Sequence, residues 1–432
     1  MGAMRSIDVG VLLAPVVKFT LSGRFSSVVE TDDAENIITV VDGKLSFKGV
    51  VYDSLSFIPE DGDSKFTLHD VVIGVGFHWQ RLENQVFKGE LCFIIEDSKV
   101  RAINRIPVED YLVSVISSEM SATSSLEFLK AHTIISRSWL YAQLERETCV
   151  DCAQLGYESD NEVIRWYARE DHHKFDFCAD DHCQRYQGIT RALNPNVALA
   201  VEETRDIVLK YDGKVCDARF SKCCGGITER FSACWESVDY DYLQAFRDCE
   251  SGSELPDLTT EEGARAWIES VPEAFCSTDD KTVLSQILNG YDRETNDFYR
   301  WKVVYSLDEL SALVAKRSGV DFGLIENLQP IERGASGRIV KLRIVGSKAT
   351  RIVGKELEIR RWLSSSHLYS SAFVVDKVYD TFGNVQFVLK GAGWGHGVGL
   401  CQIGAAMMGE KGYTVEQILA FYYPGAVLEN VQ

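Results

Sequence analysis

The 432-residue sequence has no run that approaches the roughly 20 apolar residues of a membrane span. It is short of positive charge, with 45 Lys and Arg against 64 Asp and Glu and a net charge of −19. That balance argues against a duplex-binding surface, which needs clustered cations for counterion release. It says little against a sugar polymer gripped in a local groove. The opening "MGAMRSIDVGVLLAP" has only a brief apolar run and no small-residue cleavage site. Residence in the cytoplasm and in the cell envelope, after removal of a leader, are therefore both open. There is no internal repeat and no low-complexity linker, and 45 % of the residues are hydrophobic. The expectation is a folded globular chain.

Cysteine is present in quantity. Nine of the twelve cysteines crowd between Cys149 and Cys249. In a chain this long, such density reads first as thiols and metal ligands, with a disulfide set as the competing account. Residues 7 to 104 are a succession of short β-type runs broken by Gly, Asp and Ser. Pro107 then suits a helix's first turn, followed by Glu109 and Asp110 at the favourable dipole end. A helix is predicted to about Met120, and a second over "LEFLKAHTIISRSWLYAQLERE". Helical patterning is also expected from Thr260 to about residue 320. Strand signals return from "SGRIVKLRIVGS" through "RIVGKELEIRRWL" to "NVQFVLKGAGWGHG". The predicted fold is α+β, an antiparallel β-rich core with a helical segment and an inserted helical region. Its expected segments are 1–104, 105–250, 251–330 and 331–432, all within one unit.

Within the first helix, Leu112, Val115 and Ile116 fall at i, i+3 and i+4, and the next place on that stripe belongs to Glu119. A carboxylate there is either at the wet end of the helix or held on the inner face. Held inside, it would be partly desolvated and usable as a general acid.

Four further stretches carry chemistry. "DHHKFDFCADDHCQRYQG" places Cys178, His182 and Cys183 just after His172 and His173, enough thiolates and imidazoles for a closed tetrahedral zinc site. Cys149 and Cys152 form a weaker CxxC pair. "KGAGWGHGVGLCQIGAAMMG" has five glycines between Gly391 and Gly399, which allow close backbone approach around Trp394 and His396. That turn suits a sugar groove or a catalytic loop, and equally a tight strand-to-helix turn with a core histidine. Cys401, after His396 and at the start of a helix, is either a buried thiol or a nucleophile activated by the helix N-terminus. "FSKCCGGITERFSACW" offers Thr228, Glu229 and Trp235 as a groove wall.

Taken together, "NRIPVEDYLVSVISSEM", "FLKAHTIISRSWLYA", "DDHCQRYQG", "CCGGITE" and "GAGWGHGVGLCQIGAAMMGEKGYTVEQILAFYYPG" resemble the SpoIID/LytB family of stage II sporulation protein D and amidase-enhancer-like proteins. The motifs run in family order from about residue 80 to 428. The resemblance implies a lytic transglycosylase acting on peptidoglycan glycan strands, with Glu119 as its acid. Some members bind zinc through a Cys/His loop, which maps onto Cys178, His182, Cys183 and one of His172 and His173. Sporulation members prefer glycans stripped of stem peptides. Trp394, His396, Gln402, Thr228 and Glu229 are the expected groove residues. The family usually has Ser where this chain has Cys401, and a Ser-rich run in place of Lys222, Cys223 and Cys224. The alternatives are a non-catalytic glycan-binding enhancer of a cell-wall amidase, and thiol-dependent acyl transfer by Cys401 and His396.

Overall fold

A computed structural model describes residues 5–30, 35–74, 80–119, 124–145, 156–167, 172–180, 182–191, 194–250, 254–279, 284 and 298–431. The chain divides into two compact units that interleave the segments expected from sequence. The first is Met1–Arg137 with Arg169–Asp206, and the second is Ser138–Ala168 with Ile207–Gln432. Among the described residues no helix is long and apolar enough to cross a membrane.

The first unit is built on two six-stranded sheets. Strand Val16–Ser22 alternates buried and partly exposed side chains, as a sheet with one face on a core requires. Phe19, Phe57 and Phe93 meet there with ring centroids 5.0 to 6.2 Å apart. Strand Lys99–Pro107 leads directly into helix α1, Val108–Glu119. Pro107, expected inside the helix, is instead the last strand residue. Helix α2 is Leu126–Glu145 and α3 is Pro195–Glu203, the latter capped by the Asn194 side chain. Ile116 of α1, Leu129 of α2 and Val197 and Ala200 of α3 form one apolar cluster, which fixes the three helices together.

The second unit has a five-stranded sheet and a three-stranded antiparallel sheet of Arg300–Ser306, Val385–Ala392 and Phe373–Tyr379. Helix α4 is Glu261–Glu269, and α5, Leu307–Ser318, opens with a Ser306–Glu309 capping box and ends at Gly319. The helical patterning expected to about residue 320 is therefore interrupted by the strand Arg300–Ser306. A second difference falls at "KELEIRRWL", expected as strand, where Glu356–Trp362 is helix α6. Ile359, Trp362 and Leu363 are buried at i, i+3 and i+4, and Glu358 accepts the Trp362 indole N–H at 2.8 Å one turn on. Helices α7, Gln402–Glu410, and α8, Val415–Tyr422, follow the glycine loop. The ten described cysteines are free thiols; Cys149 and Cys152 lie outside the described residues.

Candidate functional site

The stripe on α1 is real: Leu112, Val115 and Ile116 are fully buried. Glu119, next on that stripe, is the helix's final residue and is half-buried. Its Oε1 accepts the backbone N–H of Arg185 at 2.9 Å.

Arg185 stands two residues beyond Cys183, in a segment fastened along the helices of the first unit. Gln184 meets Tyr111 Oη at 3.3 Å and donates to the carbonyl of Ser136 at 3.3 Å. Tyr186 stacks on Tyr111 with centroids 5.1 Å apart, and the Gln187 N–H donates to Ser114 Oγ at 3.1 Å. The backbone that touches Glu119 is thus held by its neighbours on both sides.

Just upstream, one ligand atom from each of His172, Cys178, His182 and Cys183 lies within 4.8 Å of all the others. His172 Nε2 is 3.3 Å from Cys183 Sγ, and His182 Nδ1 is 3.6 Å from the same sulfur. Of the two adjacent histidines, His172 shares this group and His173 does not. Cys178 is placed by parallel pairing of Val9 with Phe177 and of Gly10 with Cys178. Gly10 is needed there, since a Cβ would sit 2.7 Å from the Phe175 ring. Hydrogen bonding from Cys183, against the opposing effect of burial, holds the Cys178 thiol far below the ordinary thiol range, so a thiolate is available. Two thiolates and two imidazoles at this spacing can hold a metal ion.

The remaining predicted residues belong to the second unit. Gly393, Gly395, Gly397 and Gly399 all have positive φ, between 70 and 92°. The half-buried Trp394 stacks on Phe298 at 5.1 Å and meets Tyr369 edge-on at 5.2 Å. Its backbone pairs with that of Cys223. His396 packs edge-to-face on Trp235 at 4.9 Å, and its Nδ1 accepts the Val398 N–H at 3.0 Å. Burial, with Arg219, Arg338 and Arg360 nearby, keeps the imidazole neutral well below its usual range.

Three expected groove residues are interior instead. Glu229 is wholly buried; its carboxylate accepts the N–H groups of Arg230, Ala335 and Ser336 at 2.9 to 3.0 Å and the Ser336 hydroxyl at 2.6 Å. Thr228 is also wholly buried and donates to the carbonyl of Gln244 at 2.9 Å. Gln402 is 2 % exposed. Glu229 and Thr228 therefore brace turns, because a buried polar group needs its partners within the protein. Cys401 is the fully buried N-cap of α7, and its sulfur faces other thiols and a carboxylate rather than open solvent, which removes the access an acyl-transfer nucleophile requires.

Sequence reasoning missed Arg338. This wholly buried guanidinium donates to the carbonyls of Gly395, at 3.0 and 3.1 Å, and Cys224, at 3.2 Å, and so ties the glycine loop to the "CCGG" turn. A single Arg in a strand-like run carries no local signal of that role.

The stage II sporulation protein family matches residues 96–211, which include Glu119 and the Cys/His group. A domain of unknown function matches residues 229–399. The amidase enhancer of Bacillus subtilis is 28 % identical over 333 residues, 74 % of this chain and 40 % of that protein. This chain thus spans well under half of that relative. The stage II sporulation protein D of Bacillus subtilis is 23 % identical over 330 residues, 76 % of each chain. An uncharacterized protein of Brachyspira hyodysenteriae is 23 % identical over 406 residues, 93 % of this chain and 84 % of its own.

Proposed function

Taking as premise that this chain belongs to the SpoIID/LytB family, we propose that it is a lytic transglycosylase cleaving the glycan strands of peptidoglycan, with Glu119 as general acid and base. The observation that carries this reading is a half-buried carboxylate at the end of an apolar stripe, held by the Arg185 amide. Hydrolysis of a glycoside normally takes two flanking carboxylates. A transglycosylase needs one. Glu119 gives its proton to the oxygen bridging N-acetylmuramic acid C1 and the next sugar, and the C1–O bond breaks. The carboxylate then takes the proton of the muramic 6-hydroxyl as O6 bonds to C1, leaving a 1,6-anhydro end and consuming no water. The intramolecular hydroxyl supplies the proximity that a bound water would otherwise need.

His172, Cys178, His182 and Cys183 fit zinc in number, type and spacing. Zinc held by these four residues would supply structure rather than reactivity, and would fix the segment that leads to Arg185. Trp394, with Phe298 behind it, serves as a sugar-stacking face.

The test is mass spectrometry of glycan strands, stripped of peptides, after incubation with the protein. Wild type is expected to yield anhydro-ended fragments, and Glu119→Gln to lose them by roughly 10²–10⁴-fold. Absence of such ends with wild type, or equal yield from the variant, overturns the proposal. The similarity to the amidase enhancer favours a second reading, glycan binding that stimulates an amidase. On that reading stimulation of amidase activity survives Glu119→Gln.

A further inference from the structure

Four ionisable side chains from four separate segments meet inside the second unit. One ligand atom each from Cys224, Asp248, Cys276 and Cys401 lies within 4.8 Å of all the others. None of the four residues is more than 2 % exposed. The sulfurs of Cys224 and Cys276 are 3.6 Å apart, and Cys401 Sγ accepts the Cys224 N–H at 3.2 Å. Asp248 is aimed by two neutral donors, the Tyr422 hydroxyl onto Oδ1 at 2.6 Å and the Cys276 N–H onto Oδ2 at 3.0 Å. Gly404 makes room for it, because a Cβ there would stand 2.8 Å from both carboxylate oxygens.

We propose that Cys224, Asp248, Cys276 and Cys401 form a buried Cys₃Asp zinc site, separate from the Cys/His group. Held by these two neutral donors, the wholly buried Asp248 carboxylate would gain from a cation that meets its charge. Three thiolates and one carboxylate are a tetrahedral donor set for Zn²⁺. Zn–S bonds of about 2.3 Å set sulfurs about 3.8 Å apart around a single ion. The Cys224–Cys276 separation of 3.6 Å matches that, and is far too close for ligands at the corners of an iron–sulfur cluster. A Cys224–Cys276 disulfide would use two of the groups and leave Cys401 and Asp248 unexplained.

The ion would act through position. Cys224 adjoins Cys223, whose N–H and C=O pair with the C=O and N–H of Trp394 at 3.0 and 2.8 Å. Cys401 caps α7 and Tyr422 ends α8. One metal would therefore clamp the turn beneath Trp394 to both C-terminal helices.

Zinc per chain is measured by mass spectrometry on full-length protein purified without chelators. The Cys178→Ser/Cys183→Ser double variant is expected to retain about one equivalent, and adding Cys276→Ser or Cys401→Ser to remove it. Loaded with cobalt(II), the double variant should show sulfur-to-cobalt absorption of three thiolates, falling to two in each triple variant. Should a triple variant fail to fold, alkylation of the double variant decides: Cys224, Cys276 and Cys401 must react only after chelation. A folded double variant without metal, alkylation indifferent to chelator, or a Cys224–Cys276 disulfide in a non-reducing digest each overturns the site. These readouts stand apart from glycan cleavage, so its failure leaves the zinc result intact.

Discussion

Arg137 has no exposed surface, yet it carries a guanidinium charge. Glu109 answers it through two parallel contacts, Nε to Oε1 at 2.9 Å and Nη2 to Oε2 at 2.5 Å. From sequence, Glu109 is only a favourable charge in the first turn of a helix. Its larger role depends on a residue 28 positions away, which periodicity does not reveal. Glu109→Gln keeps the shape and removes the charge, so the buried Arg137 guanidinium loses the carboxylate that answers it. The expected cost is about 3–5 kcal/mol of stability, read by denaturant unfolding. A change below about 1 kcal/mol would show that water reaches the guanidinium. Glu119 contrasts with this residue. Its break in an apolar stripe is visible in the sequence because Leu112, Val115, Ile116 and Glu119 lie within one helix.

At the level of elements, the glycine loop shows what local pattern can and cannot carry. Gly397 has φ +77°, and a Cβ there would stand 2.4 Å from the Arg338 guanidinium carbon. Gly412 has φ +86° with nothing within 4 Å of a Cβ. Alanine at Gly412 should therefore cost only the backbone penalty of about 1–2 kcal/mol. Alanine at Gly397 should cost clearly more, since Arg338 must leave the Gly395 and Cys224 carbonyls. Equal losses in thermal unfolding would mean that Arg338 does not brace the loop. The alternating glycines at 391 to 399 are plain in the sequence, but the guanidinium that Gly397 accommodates comes from Arg338, just ahead of the distant strand Ile339–Gly346. The same limit explains Glu229: "ITER" resembles an exposed turn until Ala335 and Ser336 are seen to donate to its carboxylate. Helices α1 and α2 were legible because their acidic first turns and freedom from Gly and Pro are local. Helix α6 was not, because "RIVGKELEIRR" satisfies strand alternation before Ile359, Trp362 and Leu363 complete a helical face.

At the scale of the whole molecule, stability should fall in mild acid for a reason that can be assigned. His367, in the second unit, is largely buried, and Arg360, Arg361 and Arg317 face it. Burial first, and those three cations after it, depress its pKa from 6.5 to about 4. The folded chain thus holds a neutral imidazole, and the unfolded chain takes up its proton at higher pH. The stability this contributes is complete above about pH 6.5 and is lost as pH falls toward 4, by up to about 3 kcal/mol. The many carboxylates of a chain with net charge −19 also titrate in this range, so the wild-type curve alone does not isolate the histidine. The difference from His367→Asn does, because every other group cancels. Between pH 7 and pH 4.5, chemical unfolding should cost wild type about 2–3 kcal/mol more than the variant. With two compact units, each followed by its own spectroscopic probe, the excess loss should fall on the transition of the second. Parallel pH profiles for wild type and variant would mean that His367 is protonated in the folded protein despite its arginine neighbours.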